Sequence, residues 1–236
     1  MPNPEFRFKR FAVRQDRCAL KVGTDGVLFG AWTGHEGAGR ILDIGAGTGL
    51  LALIAAQRNA TARIDAVEID DAAAGQAAEN FADSPWAERL RAHRMDVRRM
   101  RATEPYDLIV CNPPYYSGYS PSADERAGLA KHGAELTFTE LLDAVDRLLA
   151  PQGRFAVIVP MDREPGFVRD AELRGLFPRR RCVVRYLAHR PPKRVLLELH
   201  RGAGAMEERE LTVGNSGPAD HTPDYQALIA DLLPGK

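Results

Sequence analysis

An α/β fold built on a mostly parallel sheet is what this sequence predicts, and three observations carry the prediction. Short apolar runs rich in Ile, Val and Leu (RILDI, RIDAVEI, YDLIVC) alternate early in the chain with Ala-rich segments of helical length. The first run leads into a glycine-rich turn, DIGAGTG, at residues 43–49. Another stops abruptly at Asn112, Pro113, Pro114, Tyr115 and Tyr116. Glycines and polar groups crowded at strand ends are the mark of open α/β sheets, which bind ligands beyond the carboxyl ends of their strands.

The elements follow in order. Phe6, Phe8, Phe11 and Val13 partly alternate with Arg and Lys, as on a half-buried hairpin, and Cys18–Val22 is expected to pair with it. Residues 23–32 predict a short apolar helix with Thr24 or Asp25 as its N-cap, followed by a Gly-rich link over 34–39. Strands are expected at 40–44, 63–69, 89–95 and 106–111, with helices at 50–58 and 72–81, the second capped by Asp70. A helix over TFTELLDAVDRLL precedes a fifth strand at 154–160, and residues 166–177 read as helical. RCVVRYLAH and KRVLLELHR predict an antiparallel pair joined by Arg190, Pro191 and Pro192. Residues 202–219 read as a loop, and DYQALIADLL as a short amphipathic helix. The chain thus divides into an N-terminal extension (1–35), a core (36–201) and a C-terminal loop and helix (202–236).

Composition narrows the function classes. With 236 residues, 44% of them hydrophobic, one main domain is expected. Lys+Arg and Asp+Glu are both 32, so a nucleic-acid partner has to be argued from local charge. Cys18, Cys111 and Cys182 are scattered and odd in number, as reduced thiols of a cytoplasmic protein would be. No run has signal-peptide or membrane-spanning length, so no membrane partner is expected. The six histidines fall at no metal-ligand spacing, and no metal is expected. The oligomeric state stays open, with a monomer as the default.

The glycine-rich turn has a definite ligand class. A dinucleotide fingerprint needs glycine at position 50, where Leu50 stands. The order is instead Asp43-x-Gly45-x-Gly47-x-Gly49, and Glu68 closes the next strand, where a carboxylate can accept both ribose hydroxyls of a nucleoside. This constellation resembles the S-adenosylmethionine site of Rossmann-like class I methyltransferases. The resemblance implies a seven-stranded, mostly parallel sheet with an antiparallel last strand, plus a small N-terminal extension. It also implies that Asp43, Gly45, Ala46, Gly47 and Gly49 cradle the methionine part and that Glu68, with Ile69, holds the ribose. Asp96, with Val97, resembles the position that reads the adenine amino group.

Such a donor makes the Asn-Pro-Pro-Tyr stretch interpretable. An amino group conjugated to an aromatic ring is a poor nucleophile because its lone pair is delocalised. Acceptors from the Asn112 side chain and the Pro113 carbonyl would favour a pyramidal nitrogen aimed at the methyl group. Proline offers an acceptor without a competing donor, and Tyr115 a face on which a base stacks, worth about 1–3 kcal/mol. The motif is shared by adenine-N6 methyltransferases of DNA and RNA, in related form by guanine-N2 enzymes, and by protein glutamine-amide methyltransferases. Cys111, inside the apolar run, reads as a core thiol rather than a nucleophile.

DRCALKVGTDGVLFGAW, LDIGAGTGLLALIAAQR, ENFADSPWAERL and DLIVCNPPYY together resemble the bacterial family that methylates adenine N6 of the adenosine just 3′ of a valine tRNA anticodon. The likeness spans about Phe6 to His200. It implies a cofactor-side role for Lys21, Thr24 and Asp25 and an RNA-side role for Arg126, Lys131 and His132, with Lys131 standing where Arg is usual. The tail motif has His221 where an aromatic is common. Local charge fits an RNA partner: arginines at 7, 10, 14 and 17 with Lys9, and a second cluster from Arg179 to Arg194 that includes Arg190 and Lys193. Two alternatives accompany this reading: a glutamine-amide methyltransferase acting on a release factor, and a catalytically silent RNA-binding module. The first is disfavoured because family members carry a helical domain ahead of the core, whereas about forty residues precede Asp43. The second is disfavoured by the presence of both Glu68 and Asn112.

Overall fold

The computed structural model describes residues 4–113, 136–217 and 220–234. A short antiparallel hairpin, β1 (Glu5–Arg7) and β2 (Ala12–Arg14), precedes helix α1 (Thr24–Trp32). Strands β3 (Arg40–Ile44), β4 (Arg63–Glu68), β5 (Leu90–Arg94) and β6 (Tyr106–Cys111) follow, with α2 (Leu50–Arg58) between β3 and β4 and α3 (Asp71–Ala82) between β4 and β5. After α4 (Phe138–Leu148) come β7 (Leu149–Pro160), α5 (Glu164–Glu172), β8 (Leu176–Leu187), β9 (Arg194–Arg201), β10 (Glu207–Gly214) and α6 (Pro223–Ile229).

The main sheet runs in the order β10-β8-β9-β7-β6-β3-β4-β5. Neighbours pair in parallel except β9, which is antiparallel to both β7 and β8. Both faces are covered, as the apolar composition of the strands requires. One core joins Ile41, Leu108 and Val110 to α1 and α2; the other joins Leu42, Ile109 and Phe155 to α4 and Phe167 of α5. The chain leaves β3 toward β4 and β5, then crosses to β6 on the other side of β3. The ends of β3 and β6 therefore flank a topological switch point, the place where such sheets open a crevice.

Local chemistry explains the helix starts. Asp70 accepts from the Ala73 amide at 2.8 Å, as expected for α3. Thr137 and Glu140 form a reciprocal capping box on α4. The cap expected on α1 is different: Gly23 is the N-cap, and Thr24 and Asp25 lie in the first turn, where the Asp25 carboxylate is engaged elsewhere.

Two further expectations are corrected. The sheet has eight strands rather than seven, because the loop expected over 202–219 contains β10, which pairs in parallel with β8. Its EERE start hides the strand from an apolar pattern, since Glu208 and Glu210 meet Arg181 and Arg185 across the edge at 3.8 and 2.8 Å. Cys18–Val22 forms no strand. Side-chain amides hold this stretch and its approach instead: Gln15 accepts from the Val22 amide at 2.8 Å and Gln76 from the Arg17 amide at 3.2 Å.

Candidate active site

Strand ends, not strands, build the site. Asp43 is the penultimate residue of β3 and is fully buried. One of its carboxylate oxygens accepts from the Ala52 amide at 3.2 Å, while Oδ1 has no hydrogen-bond partner in the structure. Burial pushes this carboxyl up to about 7; the Ala52 amide opposes the rise, and the charge of Glu68 adds to it. A buried acid of this kind favours a cation or a donor placed beside it.

The loop that follows turns through left-handed backbone at Gly45 (φ 71°) and Gly47 (φ 53°), and among the described residues beyond the chain neighbours no atom lies within 4 Å of where a Cβ would sit on either. Open space on the glycine side is what a ligand needs. The amides of Gly45 and Ala46 both donate to the Val67 carbonyl, at 2.9 and 3.1 Å, and that of Gly47 donates to Glu68 Oε2 at 2.9 Å. These three amides face partners inside the protein, so the loop offers a smooth surface rather than the amide cradle of a pyrophosphate site. Glu68 is further fixed by the amides of Ile69 and Asp70 on Oε1, at 2.8 and 3.0 Å. Ile69 is exposed beside it.

A cleft of about 410 Å³ opens at the switch point. Its floor is Gly45–Thr48 of the loop with Leu50 and Leu51 of α2; one wall is Leu20–Gly26, and the other is Asn112 and Pro113 at the end of β6. Lys21, Thr24 and Asp25 thus line the same cleft as Asn112 and the glycine loop. Asn80 of α3 ties the chain before the wall to the loop, donating to the carbonyls of Arg14 (3.0 Å) and Thr48 (2.9 Å).

Other expected residues stand apart. Asp96 is held by the backbone amide and guanidinium of Arg98, which also reaches Glu140 at 3.1 Å, and Val97 is buried in the core under α4. Neither lines the cleft, and Asp43, Gly49, Glu68 and Ile69 stand behind or beside the loop rather than in the lining. Pro114, Tyr115, Arg126, Lys131 and His132 lie outside the described residues. Arg194 lies in the cleft wall with its Nε 3.0 Å from Asp25 Oδ2. Arg190 and Lys193 are exposed in the β8–β9 connection. Cys111 is buried at the end of β6, and burial with the charges of Asp43 and Glu68 raises its thiol well above the usual range, so it is a core thiol.

The basic clusters serve the fold more than their composition suggests. Arg7, Arg14 and Arg17 pair with Glu5, Asp83 and Glu79, and Arg10 lies over the Trp86 ring. In the later cluster, Arg180 pairs with Glu198 at 3.0 Å, Arg181 with Glu164 at 2.5 Å and Arg185 with Glu210 at 2.8 Å. Sequence reading misses Leu20, Thr48 and Tyr186; the first two follow from their neighbours in the wall and loop, whereas Tyr186 gives no local signal.

Known proteins agree with this geometry. The family model described as the methyltransferase small domain matches residues 27–161. A protein of Tolumonas auensis named tRNA1(Val) (adenine(37)-N6)-methyltransferase is 44% identical over 98% of both chains. This chain belongs to that methyltransferase family. Family members of the same name from Bacteroides fragilis and Trichodesmium erythraeum are 46% and 40% identical, over 84% and 98% of both chains. Among solved structures, a predicted O-methyltransferase from Agrobacterium tumefaciens shares the fold, with a TM-score of 0.67 at 17% identity over 87% of this chain and 95% of that one. A glycopeptide N-methyltransferase complexed with S-adenosylmethionine shares it at a TM-score of 0.55, 14% identity, and 75% and 93% coverage.

Proposed function

We propose that this protein transfers a methyl group from S-adenosylmethionine to N6 of the adenosine just 3′ of the anticodon in a valine tRNA. The observation that carries the reading is the placement of Asn112 and Pro113 at the end of β6, in the same cleft as the glycine loop, in a chain of this family.

The residues fit the cofactor. The glycine loop gives it a surface without side chains, Glu68 presents acceptors for ribose hydroxyls, and the buried Asp43 carboxyl favours positive charge nearby. Lys21, Thr24 and Asp25 flank it from the opposite wall. When bound, S-adenosylmethionine supplies an electrophilic methyl group on a sulfonium.

The Asn112 side-chain oxygen and the Pro113 carbonyl accept hydrogen bonds from the two N–H groups of the adenine amino group and orient its nitrogen; Pro114 and Tyr115 complete the motif, with Tyr115 stacking on the base. Solvent takes the proton released after transfer, so no side chain acts as an essential general base. Asp96, with Val97, lies toward the adenine end of the cofactor and reads its amino group once Arg98 shares the carboxylate. Arg190 and Lys193, with Arg126, Lys131 and His132, meet tRNA phosphates, while Arg194, the last of that basic cluster, turns to Asp25 in the cleft wall. A loop adenosine suits this chemistry because leaving the stack costs least in a single strand.

Replacing Asn112 by Ala tests the reading. Turnover on the tRNA falls by about 10²-fold, the range for losing one positioned group, while the cofactor's dissociation constant stays within about twofold. Full turnover in Asn112→Ala would make the motif a structural turn.

A further inference from the structure

We propose that Tyr186 and Arg194 are positioning residues that set the cofactor wall of the cleft through Asp25. The inference rests on reading the cleft as the S-adenosylmethionine site. Asp25 lies in the first turn of α1 and is part of the Leu20–Gly26 wall. Its Oδ1 accepts from the Tyr186 hydroxyl of β8, and its Oδ2 accepts from Arg194 Nε at 3.0 Å, on the first residue of β9. The two donors are 161 and 169 residues away in sequence, so nothing local dictates the meeting.

The wall needs such anchoring. Residues 18–22 have neither strand pairing nor helix, and Gly23 caps α1 without a side-chain bond. On its N-terminal side the wall is held by side-chain amides, Gln15 on Val22 and Gln76 on Arg17. On its C-terminal side, Asp25 carries the tie to the sheet. The pair is well shielded, with side chains of Asp25 and Arg194 only 26% and 25% exposed, so its attraction is screened less than that of the surface pairs on the hairpin.

Register puts the tie where it matters. Arg194 stands opposite Pro160, the last residue of β7, and opposite Val184 of β8. The antiparallel direction of β9 thus puts its first residue at the sheet end that opens the cleft. Lys193, next to Arg194, is exposed on the connection assigned to the tRNA. One carboxylate therefore fixes the cofactor wall to the edge of the substrate surface.

Steady-state kinetics with cofactor and tRNA varied in turn, paired with thermal melting, test this in Tyr186→Phe, which keeps the ring and loses the hydroxyl. The KM for S-adenosylmethionine rises about tenfold, as expected for removing a hydrogen bond to a charged acceptor. At saturating cofactor, kcat and the KM for tRNA stay within about twofold in Tyr186→Phe, and the KM for S-adenosylmethionine rises likewise in Asp25→Asn. Should Tyr186→Phe fold poorly, binding of S-adenosylhomocysteine to Asp25→Asn decides in its place. A lower melting temperature with an unchanged cofactor KM would make the cluster a structural brace, and a rise confined to the tRNA KM would assign it to the substrate; either overturns the proposal. Glu68→Ala separates the two levels. If it weakens cofactor binding while Tyr186→Phe does not, the positioning role alone fails; if Glu68→Ala binds as the wild type does, the reading of the cleft fails with it.

Discussion

Asp43 is a fully buried acid beneath the glycine loop whose carboxyl is pushed up to about 7 by burial. The folded chain keeps its proton up to about pH 7, whereas a free carboxyl gives it up near 3.8, so stability from this group falls as pH rises between those values. A cation beside it favours the carboxylate, and cofactor binding then releases a proton. Affinity for S-adenosylmethionine should therefore rise as pH climbs through about 7, and calorimetry in two buffers of different ionisation enthalpy should register the released proton. Asp43→Asn should abolish both effects; an unchanged proton release in that variant would place the titrating group elsewhere. For Glu68→Ala the same calorimeter should show binding weaker by roughly 1.5–3 kcal/mol, the value of hydrogen bonds to a charged acceptor. Asp43, Glu68 and Asn112 are legible in the sequence because each closes an apolar run at a strand end. The partners of Asp25 are not, since a meeting between a helix start and strands more than 160 residues later leaves no periodic trace.

At the scale of elements, the glycine loop is held from beneath by α3. Gly49 takes left-handed backbone (φ 81°), and a Cβ there would stand 2.4 Å from the Phe81 ring. Gly49→Ala should cost at least about 2 kcal/mol, through backbone strain and overpacking together, and lower the melting temperature by roughly 5 °C. An unchanged melt would mean that loop and α3 part easily. The strands β3 and β6 and the helix α2 match their expected bounds because apolar runs bounded by Gly, Asn and Pro carry both type and limits. Strand β10 escapes for a physical reason: an edge strand needs no apolar face when arginines of its neighbour balance its glutamates. The same fact splits the arginine cluster by role. Arg181→Gln should lower stability, by about 3 kcal/mol if its half-buried bond to Glu164 behaves as a buried pair, and leave the tRNA KM alone.

For the whole molecule, the balance of charge has a consequence for substrate capture. Among the described residues most arginines of both basic clusters are ion-paired or stacked, so few exposed cations, Arg190 and Lys193 among them, are left to carry the proposed contact with tRNA phosphates. Removing one phosphate-binding cation should flatten the dependence of log affinity on log salt by about 0.7–0.9. Reversing Arg190 and Lys193 to Glu should raise the tRNA KM more than it lowers kcat, and a KM that does not move would exclude that face. Methylation of an adenine amino group at the β3–β6 switch point is read out in one step by nucleoside mass spectrometry of a valine tRNA transcript incubated with the protein and S-adenosylmethionine. The expected product is N6-methyladenosine at the position 3′ of the anticodon, absent when that adenosine is guanosine. No methylation of the valine tRNA together with methylation of a release-factor glutamine, or equal methylation of the guanosine variant, would contradict it.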